Sequence, residues 1–168
     1  MKRTIAWFLL VVTAALLQAT WPDALKLQQV LPNLCLILTV YFAVKEGEER
    51  AMFTGVVGGV YQDVASGAIL GHNVLCLVLA GYAAGRIGSR LITEHPAVKA
   101  GLVFVAGLAH GLLYHSILYI QNPDNGFLYP VATLAAPAAF YTALVTPLVF
   151  YVAHVVMRRV VPPPGGAK

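Results

Sequence analysis

Charge is what this sequence most lacks: only 11% of its 168 residues are Asp, Glu, Lys or Arg, against about 25% in a soluble globular domain. The deficit runs the length of the chain, so a soluble fold would have too few charges to cover its surface. Cysteine is scarce as well. The two present, Cys35 and Cys76, lie in apolar runs without CxxC spacing, which argues against a disulfide framework or a thiolate metal site and for buried structural thiols. Catalytic signatures are missing too: there is no GxSxG, no HExxH, no P-loop and no pair of carboxylates inside an apolar stretch. Ser66 lacks an evident base, and Lys45-Glu46-Gly47-Glu48-Glu49-Arg50 reads as a solvated loop. The net charge is +4 and the pI near 9.2. The basic residues nevertheless fall in small clusters between apolar runs, not in a stripe interleaved with aromatics, so no nucleic-acid surface is expected. Nor is an enzyme, a cofactor or a metal.

What is present is apolar sequence. Hydrophobic residues make up 59% of the chain and mean hydropathy is +0.76. That is the composition of an all-α integral membrane protein, in which each spanning helix needs about 20 apolar residues. Six segments can be drawn: Ile5 to Ala19, Val30 to Val44, Ala51 to Ala65, Val74 to Ile87, Val98 to Ile120 and Val131 to Met157. The second opens on Leu31-Pro32, proline being tolerated at a helix start. Several segments are shorter than a perpendicular span, so the second to fourth either extend into their flanks or include one that is partly re-entrant. Lys2-Arg3 before an apolar run has the form of a signal peptide. Gln18-Ala19-Thr20-Trp21 offers no small-x-small cleavage site, however, and the run is expected to stay as the first span.

The connectors orient the bundle. With six spans, Lys2, Arg3, Lys45, Arg50, Arg86, Arg90, Lys99, Arg158, Arg159 and Lys168 fall on one side, ten of the 11 Lys and Arg residues. Lys26 alone falls on the other. Cytoplasmic loops are enriched in Lys and Arg, so both termini are expected in the cytoplasm. Trp21, Tyr129 and Tyr151 lie near segment ends, where amphipathic aromatics favour the headgroup region. The expected organisation is one polytopic transmembrane domain over residues 1–160. A disordered cytoplasmic tail follows over 161–168, where Pro162-Pro163-Pro164-Gly165-Gly166 cannot be helical.

Glycine is the most patterned residue. Gly55/Gly59, Gly67/Gly71, Gly81/Gly85 and Gly107/Gly111 are small-xxx-small pairs. At that spacing the glycines share one helix face and let two backbones touch. Packing within the chain is the plain reading; binding a partner's transmembrane helix is the sharper one. Asp63 is the one carboxylate inside an apolar stretch. An Asp at a helix centre costs about 2.5–3.5 kcal/mol on insertion scales. Asp63 therefore either sits at the outer interface, ending a helix before Ser66-Gly67, or it fixes a re-entrant turn or meets a ligand or partner. The candidate residues for helix packing or partner binding are Gly55, Gly59, Asp63, Ser66, Gly67, Gly71, Gly81 and Gly85. His110 and His115 are about 140° apart around a helix and are expected as packing or interfacial histidines. Gln121-Asn122-Pro123-Asp124-Asn125-Gly126 is an ordinary turn.

One order of features carries a resemblance. Pro32-Asn33-Leu34 opens a segment, and Val40-Tyr41-Phe42-Ala43 closes it before the charged turn. Then come the glycine-rich segment, Asp63-Val64-Ala65-Ser66-Gly67, Gly71-His72-Asn73 and Gly81-Tyr82-Ala83-Ala84-Gly85-Arg86. In this order they resemble the rod shape-determining protein MreD family; the remaining chain matches only as apolar segments. The resemblance implies a non-enzymatic scaffold in the bacterial inner (cytoplasmic) membrane, within the cell-elongation complex that supports lateral peptidoglycan synthesis. The implied partners are an MreC-like protein, MreB filaments, RodA and a penicillin-binding transpeptidase. The implied fold is a compact bundle of six transmembrane helices resembling the substrate-binding subunits of energy-coupling-factor transporters, with Asp63, Ser66 and Gly67 as the characteristic turn. The alternative function is such a subunit itself, binding a vitamin-type small molecule. Ala15 and Ala19 form a pair resembling the one those subunits use to dock their partner. A ligand pocket needs several convergent polar groups, and the spans offer few: chiefly Asp63, His110, Tyr114, His115 and Ser116.

Overall fold

A computed structural model describes residues 2–20, 30–67, 69–88, 95–123 and 126–160. These form six helices: α1 Lys2–Ala19, α2 Leu34–Glu46, α3 Glu48–Ser66, α4 His72–Gly88, α5 Pro96–Gln121, and α6 Leu128–Val160, which contains a π-helical stretch at Val131–Ala135. The all-α expectation holds for the described residues. Of these helices, α5 and α6 are long and apolar enough to cross a membrane, and α1 contains a shorter apolar run. The expectations for Trp21, Lys26, Arg90 and the tail 161–168 lie outside the described residues.

The shortest of the six helices is the most enclosed. Every residue of α2 from Leu34 to Ala43 is buried, and α2 touches α1, α3, α4, α5 and α6. A helix that is apolar all round belongs in an interior. Its 13 residues rise about 20 Å, short of the roughly 30 Å hydrocarbon core. The helix begins later than Leu31-Pro32 because Asn33 caps it, its Oδ1 accepting the Leu36 N–H at 2.9 Å. The first N–H groups of any helix lack partners inside it, and neighbouring helices supply them here. Gln18 Oε1 of α1 accepts from Leu34 N–H at 2.9 Å and Cys35 N–H at 3.4 Å. Asn33 N–H donates to Thr142 Oγ1 of α6 at 3.0 Å.

At the other end of α2, Gly47 alone separates it from α3, with φ of 90°, a left-handed conformation that favours glycine. The Lys45–Arg50 stretch is therefore not the solvated loop expected from its composition. Glu46, whose side chain is only 11% exposed, meets Arg3 at 3.2 Å and Arg50 at 3.2 Å. A carboxylate at a helix C-terminus opposes the helix dipole, and these two guanidinium groups offset that. Arg50 also lies 5.0 Å over the Trp7 ring, and Trp7 Nε1–H donates to Thr54 Oγ1 at 2.8 Å. The charged turn thus ties α1 to α2 and α3.

The most extensive helix pair is α3 with α4, and glycine lets them meet. A Cβ added at Gly55 would stand 2.8 Å from the Leu77 carbonyl carbon. At Gly81 it would stand 3.1 Å from the Ala51 carbonyl carbon, and at Gly85 2.6 Å from Glu48 Cα. Between α5 and α6 the same device recurs: a Cβ at Gly107 would meet Ala139 Cβ at 3.1 Å, and one at Gly111 would meet Ala135 Cβ at 2.5 Å.

Candidate functional site

The α3–α4 turn is built around Asp63. Helix α3 ends where the sequence suggested, with Gly67 in the left-handed region at φ 63° and its N–H bonded to the Val64 carbonyl. Ser66 Oγ donates back to the Gln62 carbonyl at 2.7 Å. Asp63 is fully buried, and its carboxylate reaches across the turn. Oδ2 accepts the Gly71 N–H at 2.8 Å, while Oδ1 accepts the Asn73 N–H at 2.9 Å and the Asn73 side-chain amide at 3.0 Å. The anion therefore sits against the start of α4, where N–H groups lack helical partners and the dipole favours negative charge. Asp63 thus lies near the end of α3, and its carboxylate holds the α3–α4 turn. Asp63, Ser66, Gly67 and Gly71 share this turn, whereas Gly55, Gly59, Gly81 and Gly85 lie farther along the α3–α4 contact.

Gly67 offers a clean local measurement. Nothing lies within 4 Å of a Cβ placed there, so substitution acts through backbone conformation alone. Gly67→Ala is expected to lower stability by about 1 kcal/mol, and Gly67→Asn by less, since Asn tolerates the left-handed region. Thermal unfolding of the two variants in detergent checks the order.

Beside the turn lies a cavity of about 450 Å³. Its polar lining comes from five helices and the segment before α2: Gln18, Asn33, Gln62, Ser66, Asn73, His110, Tyr114, His115 and Thr142. Ala15, Leu36, Gly107, Ala135, Ala138 and Ala139 form much of the apolar wall. Asn33 Oδ1 also accepts from Gln62 Nε2 at 2.8 Å. The rings of His110 and Tyr114 stack 6.3 Å apart, and the buried His110 Nε2 has no hydrogen-bond partner among the described residues. Among the described residues no Asp, Glu, Lys or Arg lines this space. It suits an uncharged, hydrogen-bonding occupant with apolar parts.

The cavity corrects the count of convergent polar groups. Ser116 is not among the lining residues and donates to the Leu112 carbonyl at 2.7 Å. Gln18, Asn33, Gln62, Asn73 and Thr142, all passed over in the sequence, line it. Gln18, Asn33, Gln62 and Asn73 stand near the ends of apolar segments, where a polar side chain looks like an interfacial residue, and Thr142 lies inside the sixth. The available signal was chain direction: the ends of α1 and α3 and the starts of α2 and α4 fall at one level, where Asn33 meets Thr142 inside α6. That level is opposite the Arg3, Glu46 and Arg50 cluster. His110 and His115, expected as packing or interfacial residues, both face this space. Ala15 and Ala19 line it too, Ala15 buried and Ala19 exposed. Among the described residues no group of three His, Cys, Asp or Glu is placed to hold a metal ion.

Comparison with curated proteins and with solved structures returns no match. The family model for rod shape-determining protein MreD matches residues 1–159. The order of motifs from Pro32 to Arg90, the apolar helices and this match over nearly the whole sequence agree, and the chain belongs to the rod shape-determining protein MreD family of membrane proteins.

Proposed function

We propose that this protein acts as a non-enzymatic scaffold of the cell-elongation complex in the bacterial inner membrane. All six helices lie within the bilayer, and both termini face the cytoplasm. Its polar cavity, on the outer side, receives a segment of an MreC-like partner, and its exposed helix faces meet RodA and the penicillin-binding transpeptidase. The partition of Lys and Arg supports the orientation. One observation carries the docking site: the Gly55/Gly59, Gly81/Gly85 and Gly107/Gly111 faces are occupied within the molecule, whereas the cavity is open and retains hydrogen-bonding capacity. The side-chain oxygens of Gln18 and Asn33 serve the start of α2. Their NH2 groups and His110 Nε2 have no partner among the described residues.

A photo-crosslinking residue at Ala138, on the cavity wall, is expected to capture a coexpressed MreC-like protein; one at the exposed Phe53 is not. Ala138→Trp fills the cavity. It is expected to abolish the crosslink from Ala65, which also lines it, and to round the cells while the protein still inserts. Rod-shaped cells with an undiminished Ala65 crosslink would overturn the reading.

The same cavity favours a second reading, a small-molecule-binding subunit of a transporter. The uncharged polar lining among the described residues suits a neutral ligand, but Ala15 of the pair that first suggested it is buried. Copurification of a bound small molecule or an ATPase module separates the two.

A further inference from the structure

A second cavity, of about 370 Å³, lies at the cation-rich end, between the end of α2, the start of α5 and the middle of α6. We infer that it binds the phosphate of an anionic phospholipid in the leaflet on that side, which the proposed orientation makes the cytoplasmic one. Lys45, Lys99 and His154 line it, with Tyr41, Thr146 and Phe150. Arg3, Arg50 and Arg86 of this end are paired with Glu46 and Glu48. Neither Lys45 nor Lys99 has a carboxylate partner among the described residues. Pro96, the first residue of the 26-residue α5, also lines the cavity, adding the positive end of a helix dipole. Two ammonium groups without a carboxylate partner among the described residues, with a helix start beside them around one concave space, form a complement to a phosphate.

Depth and surroundings favour a lipid over a soluble anion. His154 and Pro147 precede Arg158 on α6 by about 6 and 16 Å of helix rise, which spans the headgroup level and the first acyl carbons. Tyr151 lines the cavity and continues into Leu148 and Leu144 on one face of α6; the three are 68%, 65% and 66% exposed. That stripe gives an acyl chain an apolar track leading away from the lysines. Basic pockets between transmembrane helices on the cytoplasmic side suit anionic headgroups.

The test uses the full chain in nanodiscs, with bound lipid counted by native mass spectrometry and affinity read from the thermal shift. Phosphatidylglycerol is expected to be retained and to raise the melting temperature; phosphatidylcholine is not. K45Q/K99Q is expected to weaken phosphatidylglycerol binding about fivefold per lysine. R158Q/R159Q, which removes the same charge from the end of α6, is expected to change it by less than about twofold. Either single lysine variant replaces the double one if the latter melts early in phosphatidylcholine. Equal losses in the two double variants would mean diffuse surface charge and overturn the site. Equal retention of phosphatidylcholine, or saturation by soluble glycerol phosphate, would overturn the lipid assignment. No partner protein enters the measurement, so its failure is distinct from failure of the scaffold reading.

Discussion

Asp63→Ala is expected to destabilise the protein by about 3 kcal/mol, because it strips a charged acceptor from its buried donors. Three donors now converge on the carboxylate: the Gly71 N–H, the Asn73 N–H and the Asn73 side-chain amide. Hydrogen bonds to charged groups contribute about 1.5–3 kcal/mol each, but these three share one acceptor and one turn, so their losses do not add. Asp63 is fully buried, as are its two contacts with Asn73, and a buried backbone N–H must find its partner inside the protein. Asp63→Asn is expected to recover about half of the loss. Its oxygen can still accept from Asn73, but its NH2 would oppose the Gly71 N–H. Thermal unfolding in detergent measures both variants, and cell shape after replacement of the native copy measures the consequence. An Asp63→Ala protein that melts with the wild type would show that the turn is held by something other than this carboxylate.

Helix positions were legible because apolar runs end abruptly at Lys, Arg, Gly or Pro. The third segment, expected from Ala51 to Ala65, is α3 Glu48–Ser66, and the fifth, expected from Val98 to Ile120, is α5 Pro96–Gln121. What hydropathy could not distinguish was burial in protein from burial in lipid. Leu34 to Ala43 and the middle of α5 are similarly apolar, yet the former is enclosed while Val105 and Leu112 of α5 are exposed. Nor could it place the polar residues at helix ends. Gln62 and Asn73 read as boundary residues until the Gly67 turn sets the end of α3 beside the start of α4. Asp63 stands out in the sequence by its sign and isolation. Its partners, eight and ten residues onward, depend on a turn geometry that no periodicity encodes.

An alanine at Gly59 is expected to act on the same turn from the other side. Its Cβ would stand 2.5 Å from Val74 Cα and 2.6 Å from Val74 N, and neither is a flexible side-chain end that could swing aside. The α3 and α4 backbones must part by about 1 Å to restore ordinary contact. Such overpacking costs about 1–3 kcal/mol. Val74 follows Asn73, so the movement also draws Asn73 away from Asp63 Oδ1, 2.9 Å from its N–H. Gly59→Ala and Asp63→Asn should therefore be non-additive: once the carboxylate contact is weakened, parting the helices loses less. Gly101→Ala is the control, because nothing lies within 4 Å of its Cβ and alanine favours a helix interior by up to about 1 kcal/mol. Melting temperatures of the two single glycine variants, with a double-mutant cycle through Asp63→Asn, test the coupling. Gln62, Ser66 and Asn73 of this hairpin also form part of the cavity wall. Gly59→Ala should consequently weaken partner crosslinking at Ala138, whereas Gly101→Ala should leave it intact. A Gly59→Ala protein that matches Gly101→Ala in both assays would mean that the α3–α4 contact does not shape the cavity.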